Sequence, residues 1–179
     1  METITKISVP TKEQVNAESQ AIFEQLKSQL GMVPNLYATI GYSSNALSGF
    51  LEFSGKVGKD SFSNKEIEAI KLAVSQANNC IYCKSAHTAI AKMNGYTEEE
   101  TVKLRTATIE DKKLNVLTSL AKQVAEKAGH VDNDVRERFF EAGYDAKALI
   151  DFVGVVIAVT FTNYAHALTN VEVDFPVVK

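Results

Sequence analysis

The sequence predicts an all-α fold, a single multi-helix domain over residues 1–179. Three observations carry that prediction. Apolar residues recur at intervals of three and four along most of the chain, and no stretch shows strand-like alternation between turn signals. Only three prolines and nine glycines punctuate the sequence, with the prolines mostly near its ends. A chain of 179 residues buries a core large enough to need no staples.

The first helix is expected over residues 13–30, where Val15, Ile22, Phe23, Leu26 and Leu30 mostly share a face and Gly31 is the stop. The segment 32–37 reads as a turn, with Asn35 capping a helix that begins at Leu36. Ser43 or Ser44 caps the next helix, which carries Leu47, Phe50, Leu51 and Phe53. Ser63 or Asn64 opens a helix through Ile67, Ile70 and Val74 to Ala77. Ala77-Asn78-Asn79 reads as the end of that helix and the N-cap of another, which carries Cys80, Cys83, His87, Ile90 and Met93 and stops at Gly95. Thr97 and Glu100 have the spacing of a capping box. Further helices are expected over 111–128, 132–142 and 145–169. The last is apolar around most of its circumference and is expected to be central or interfacial, its surplus face (Val156 included) buried between subunits.

Charge and composition narrow the function. A net charge of -3 and a pI near 5.7 give no electrostatic case for nucleic acid or an anionic membrane surface as partner. The longest apolar run, Phe152 to Phe161, is broken by Gly154 and Thr160 and reads as a buried helix, not a membrane span. The first 14 residues lack a basic region followed by an apolar stretch, so no secretory leader is read and a cytoplasmic protein is expected. No Gly-rich phosphate loop occurs, and no cofactor is expected.

The chemistry concentrates in one stretch. The only two cysteines, Cys80 and Cys83, stand three apart, with His87 four residues further on. Positions i and i+4 share a helical face, which puts His87 within expected reach of the Cys83 thiol. An imidazole there takes the thiol proton, and the helix N-terminus favours the thiolate. Glu68 lies on the preceding helix, and an antiparallel hairpin turning at Asn78-Asn79 brings it back to orient the imidazole or complete a proton relay. In a reducing compartment two close cysteines point to catalysis or metal binding rather than a permanent staple.

Other readings stay open. The cysteines are also consistent with small buried hydrophobes beside a satisfied core histidine. Zinc would need a fourth ligand beyond Cys80, Cys83 and His87, which only Glu68, His130 or His166 could supply; no metal site is expected. His130 reads as an exposed helix-end residue and His166 as a packed or interface group. Tyr82 is expected to line the site as a binding residue or simply to pack. The carboxylates at 98–100 and 110–111 read as solvated helix starts.

The pattern Glu68-x11-Cys80-x2-Cys83-x3-His87 resembles the signature of the alkylhydroperoxidase D-like, peroxidase-related branch of the carboxymuconolactone decarboxylase superfamily. The flanks, MVPNLYATIGYSSNALSGFLEF before it and TNYAHALTNVEVDFP at the end, are similar as well, so the resemblance covers roughly residues 30–176. It implies an all-helical homo-oligomer (dimer, trimer or hexamer) with sites near subunit contacts. It also implies a thiol-dependent hydroperoxide reductase taking a hydroperoxide as substrate and an external dithiol as reductant. In that scheme Cys83 attacks the peroxide, Cys80 resolves, His87 is the base and Glu68 the relay carboxylate. One departure is Tyr82, where the best-known reductases of the family carry a histidine. The alternatives are a disulfide oxidoreductase that never meets peroxide, and a non-enzymatic redox-sensing or structural oligomer.

Overall fold

The computed structural model describes residues 7–178, and no strand occurs among them. Residues 1–6, on which much of the leader reading rests, and the outer limits of the expected domain lie outside the described residues. A 3₁₀ turn at Lys12–Gln14 precedes α1 (Ala17–Leu30), α2 (Asn35–Ile40), α3 (Ser44–Lys56), α4 (Asn64–Ala77) and α5 (Ile81–Met93). Then come α6 (Glu98–Thr106), α7 (Lys112–Glu126), α8 (Asn133–Glu141) and α9 (Ala146–Thr169).

Most boundaries follow their sequence signals. Ser63 with Glu66, and Thr97 with Glu100, form reciprocal capping boxes at the starts of α4 and α6. Asp111 and Asp145 each accept a first-turn N–H, opening α7 and α9. Gly31, at φ 77°, ends α1 in the left-handed region.

Two of the early starts differ from expectation. The segment before α1 is a 3₁₀ turn followed by extended Val15, because Asn16 accepts the Ser19 N–H at 2.9 Å and puts the helix start at Ala17, four residues later than expected. At α2 the cap position is Pro34, not Asn35. Asn35 is the first helical residue, and its N–H donates to Asp174 Oδ2 at 2.8 Å, so the cap comes from a carboxylate far along the chain.

α4 is the hub, packing on α7, α5, α6 and α9. One apolar cluster joins α4, α7, α8 and α9 around Ile70, Leu117, Leu120, Phe139, Phe152 and Val155. A second joins α1, α2, α3, α5 and the C-terminal segment, and it contains Cys80, Tyr82 and Cys83. A third, smaller one seals α4 against α6 through Leu72 and Leu104.

α9 spans the helix expected over 145–169 and departs from expectation only at Val156. It continues through Gly154 and Thr160 and is long and apolar enough to cross a membrane by length and composition, a description that a buried core helix also meets. Gly154 permits close packing of α9, since a Cβ there would lie 2.9 Å from Val57 Cγ1. Val156 belongs to the core cluster at 3 % exposure, so it is not on the surplus face. The exposed apolar residues of α9 are Ile150, Val153, Ile157, Phe161, Tyr164 and Leu168.

Candidate active site

The junction of α4 and α5 sets the position of the first sulfur. Asn79 adopts φ 52°, its N–H bonds to the Gln76 carbonyl, and the Cys80 N–H bonds to the Ser75 carbonyl at 2.9 Å. This is a Schellman ending, with asparagine in the left-handed position usually given to glycine. Cys80 therefore closes α4 and caps α5 at once. Its Sγ accepts the Cys83 N–H at 3.2 Å, as a serine hydroxyl would at an N-cap. The sequence reading placed this cap one residue early.

The two Sγ atoms stand 2.7 Å apart, and both residues are buried. Their titrations separate. Hydrogen bonding from Cys83, against the opposing effect of burial, holds the Cys80 thiol below its ordinary value, with further help from Asn163 and the charge of Lys84. Hydrogen bonding to Cys80, burial and the Cys80 charge push Cys83 the other way.

Glu68 and His87 meet across the α4–α5 hairpin. His87 Nδ1 lies 2.8 Å from Glu68 Oε2, and Lys71 Nζ donates to Glu68 Oε1 at 3.0 Å. Burial alone would raise the Glu68 carboxyl, but the charges and hydrogen bonds of His87 and Lys71 outweigh it and hold it down to about 2. The expected contact between His87 and Cys83 does not form as a hydrogen bond among the described residues. Sharing a helical face sets direction, whereas the Glu68 carboxylate sets where the ring turns. A cavity of about 240 Å³ opens beside Glu68 and Lys71, walled by Ile67, Ile90, Val155 and Ala158.

α9 and α2 complete the surroundings with residues that sequence reasoning missed. Thr162 Oγ1 is 3.8 Å from Cys83 Sγ, and the buried Asn163 amide donates to Ser75 Oγ at 3.3 Å and accepts from Asn78 at 2.9 Å. Their signal was present in the sequence as a polar pair interrupting the longest apolar helix. Tyr37 is packed edge-on against Phe50, and burial together with the charges of Glu68 and Cys83 pushes its hydroxyl up to about 12.

Tyr82 packs between elements. Its hydroxyl donates to Asp174 Oδ1 at 2.6 Å and accepts the Leu36 N–H at 3.2 Å, while its ring lies against His166 and Phe175. With 3 % exposure it ties α5 to α2 and the C-terminal segment. His166 is packed, and burial lowers its imidazole; His130 is exposed past the end of α7. Among the described residues no three or more His, Cys, Asp or Glu side chains converge as a metal-binding group.

Residues 45–127 match the carboxymuconolactone decarboxylase family, a span that includes Glu68, both cysteines and His87. No curated protein matches the sequence. Three solved structures share the fold. The debrominase Bmp8, as a cysteine-to-alanine variant in complex with 2,3,4-tribromopyrrole, is 16% identical, with TM-score 0.79 over 96% of this chain and 92% of its own. An uncharacterised peroxidase-related protein from Silicibacter sp. TM1040 is 22% identical, with TM-score 0.78 over 96% and 94%. An uncharacterised peroxidase-related protein from Ralstonia eutropha JMP134, described as an alkylhydroperoxidase AhpD core, is 19% identical, with TM-score 0.77 over 93% and 90%. The family match across the motif and this all-helical architecture agree: residues 45–127 match the carboxymuconolactone decarboxylase family, and the chain has the alkylhydroperoxidase D-like fold.

Proposed function

We propose that the protein is a thiol-dependent hydroperoxide reductase. The observation that carries this reading is a dithiol with sulfurs 2.7 Å apart and, on the same α4–α5 hairpin, a Glu68–His87 pair held at 2.8 Å, all inside the family-matching stretch. One thiolate attacks a peroxide oxygen, so that an S–O bond forms, the O–O bond breaks and the alcohol leaves with a proton. The second sulfur then attacks the sulfenic sulfur, closing a disulfide and releasing water. An external dithiol supplies two electrons by exchange and restores the pair. Glu68 and His87 accept the thiol proton and return it to the leaving oxygen. The family resemblance gives Cys83 the attack and Cys80 the resolution, whereas the hydrogen bonds at the α5 N-terminus favour the reverse order.

The assembly is proposed to be a homo-oligomer joined through the outer stripe of α9. Ile150, Ile157, Tyr164 and Leu168 are each more than half exposed there, a continuous apolar face of the kind that marks an interface. Debromination, the activity of one fold relative, is not carried over, because at 16% identity the likeness is one of fold.

The test is dithiol consumption that depends on peroxide. The wild type should turn over, and each cysteine-to-serine variant should not. Glu68→Gln and His87→Gln should slow the reaction about 10²–10⁴-fold at neutral pH, with the defect shrinking above the free-thiol value of roughly 8.5. Quantitative thiols that reduce disulfides but ignore peroxides would identify a disulfide oxidoreductase instead.

A further inference from the structure

We propose that the cavity between α5, α6 and the C-terminal segment binds an organic monoanion, a carboxylate carried on an apolar body. The cavity has a volume of about 590 Å³, within the range of small-molecule sites. Ser85, Thr88, Ala89 and Lys92 form its α5 wall at positions i, i+3, i+4 and i+7, one helical face. Cys83 and His87 stand on another face of that helix and do not line the cavity, so the site is separate from the dithiol.

One wall carries polar groups that await a partner. Thr88 is 2 % exposed, and its buried Oγ1 has no hydrogen-bond partner among the described residues. The other buried threonines, Thr39, Thr101, Thr118 and Thr162, each donate to a carbonyl three or four residues back. Leaving the Thr88 hydroxyl unmatched costs free energy that a ligand acceptor would recover. Lys84, one turn before Thr88, is 9 % exposed and makes no ion pair among the described residues. Burial lowers its ammonium, and so does the charge of Arg105, a buried guanidinium that lines the cavity. Two neighbouring cations in a nearly dry space are what an anion neutralises.

The rest of the lining selects the kind of anion. Ala89, Met93, Val102, Pro176 and Val177 give it apolar walls, of which Met93 and Val177 are well exposed and would be covered by an apolar body. Lys92 is already paired with Glu98 at 2.9 Å, and that carboxylate disfavours a second negative charge on the ligand. Ser85 Oγ accepts the Val178 N–H at 3.3 Å, which holds the C-terminal segment in place as the facing wall. A bare phosphate would meet the cations and leave the apolar walls wet. An alkyl or aryl carboxylate meets both.

Calorimetric titration of the protein with decanoate at neutral pH and low salt tests the site without peroxide or dithiol, so this proposal and the reductase reading can fail separately. Saturable binding is expected, with decanol and inorganic phosphate each about tenfold weaker or worse. Thr88→Val should weaken decanoate about tenfold, the loss of one hydrogen bond to a charged group. Its melting temperature should hold or rise, because the hydroxyl removed had no partner in the free protein. Lys84→Met should weaken decanoate by a similar factor and flatten the salt dependence of binding. Absence of saturable decanoate binding, or equal affinity for decanol, would overturn the proposal. So would an affinity that neither substitution lowers, which would put the ligand elsewhere, such as the apolar groove along α9. Phosphate binding more tightly than decanoate would refute the organic class. A Thr88→Val that melts lower than wild type would show the hydroxyl engaged and remove the ground for the site.

Discussion

The two halves of the buried face of α9 do different work. Its first half presents Ala148, Phe152, Val155, Val156 and Val159 to an apolar cluster with α4, α7 and α8. Its second half presents Thr162, Asn163 and His166, each buried against a specific neighbour on α4 or α5. The first half is held by area and shape, where one hydrophobe of the right size substitutes for another. The second is held by directional bonds that single partners satisfy, so it tolerates change poorly and can tune chemistry. One helix therefore anchors the core at one end and reaches the dithiol through Thr162 at the other.

The largest expected effect comes from placing a charge in the apolar half. Val156→Asp buries an unpaired carboxylate at a position 3 % exposed, with no polar partner in the cluster. A loss of more than about 4 kcal/mol is expected, enough to unfold a protein of ordinary stability. Circular dichroism should show loss of helix rather than a folded monomer. A folded, dissociated Val156→Asp would mean that this half of α9 is not core at all.

The next effect belongs to the polar side and depends on pH. The Glu68 carboxyl is held down to about 2 when folded, against roughly 4.3 in an unfolded chain. A depressed value means that the folded state binds fewer protons, so its stabilising contribution is fully present above about pH 4.5 and is lost as pH falls toward 2. That contribution is of the order of 3 kcal/mol. Urea unfolding should find Glu68→Gln less stable than wild type by up to that amount at pH 7, with the gap closing in acid. Parallel profiles would show that burial cancels the His87 and Lys71 pairings.

What was legible in the sequence follows the same division. The apolar half, the α4–α5 hairpin and the convergence of Glu68 with His87 could be read because periodicity and caps are local signals. The Asp174 cap on α2, the approach of Thr162 to Cys83 and the hydroxyl bonds of Tyr82 could not, since each joins residues far apart in the chain. The direction of His87 was misjudged for the same reason: spacing gave it a face shared with Cys83, and a carboxylate on another helix decided its hydrogen bond.

Tyr82→Phe tests whether the polar side is held by single bonds. It keeps the ring against His166 and Phe175 but leaves the buried Leu36 N–H without an acceptor and frees one Asp174 oxygen. The cost should be about 1–3 kcal/mol. Limited proteolysis should cut earlier within residues 170–178, because the segment loses its tie to α5. Unchanged stability and cleavage would reduce Tyr82 to a packing residue.

The smallest effect on folding, and the largest on assembly, is expected from the outer face of α9. Ile157 is 55 % exposed and lies in an apolar groove beside Val153 and Tyr164. Ile157→Asp should change the stability of an isolated chain by only about 0.5 kcal/mol, since the carboxylate stays in water. If this stripe is the subunit contact, the same substitution buries two like charges across a symmetric interface and breaks it. Light scattering should then show a multiple of 19.6 kDa for wild type and single chains for the variant, with helical content retained in both. A wild type that is already monomeric, or an Ile157→Asp that unfolds, would erase the distinction between the inner and outer faces of this helix.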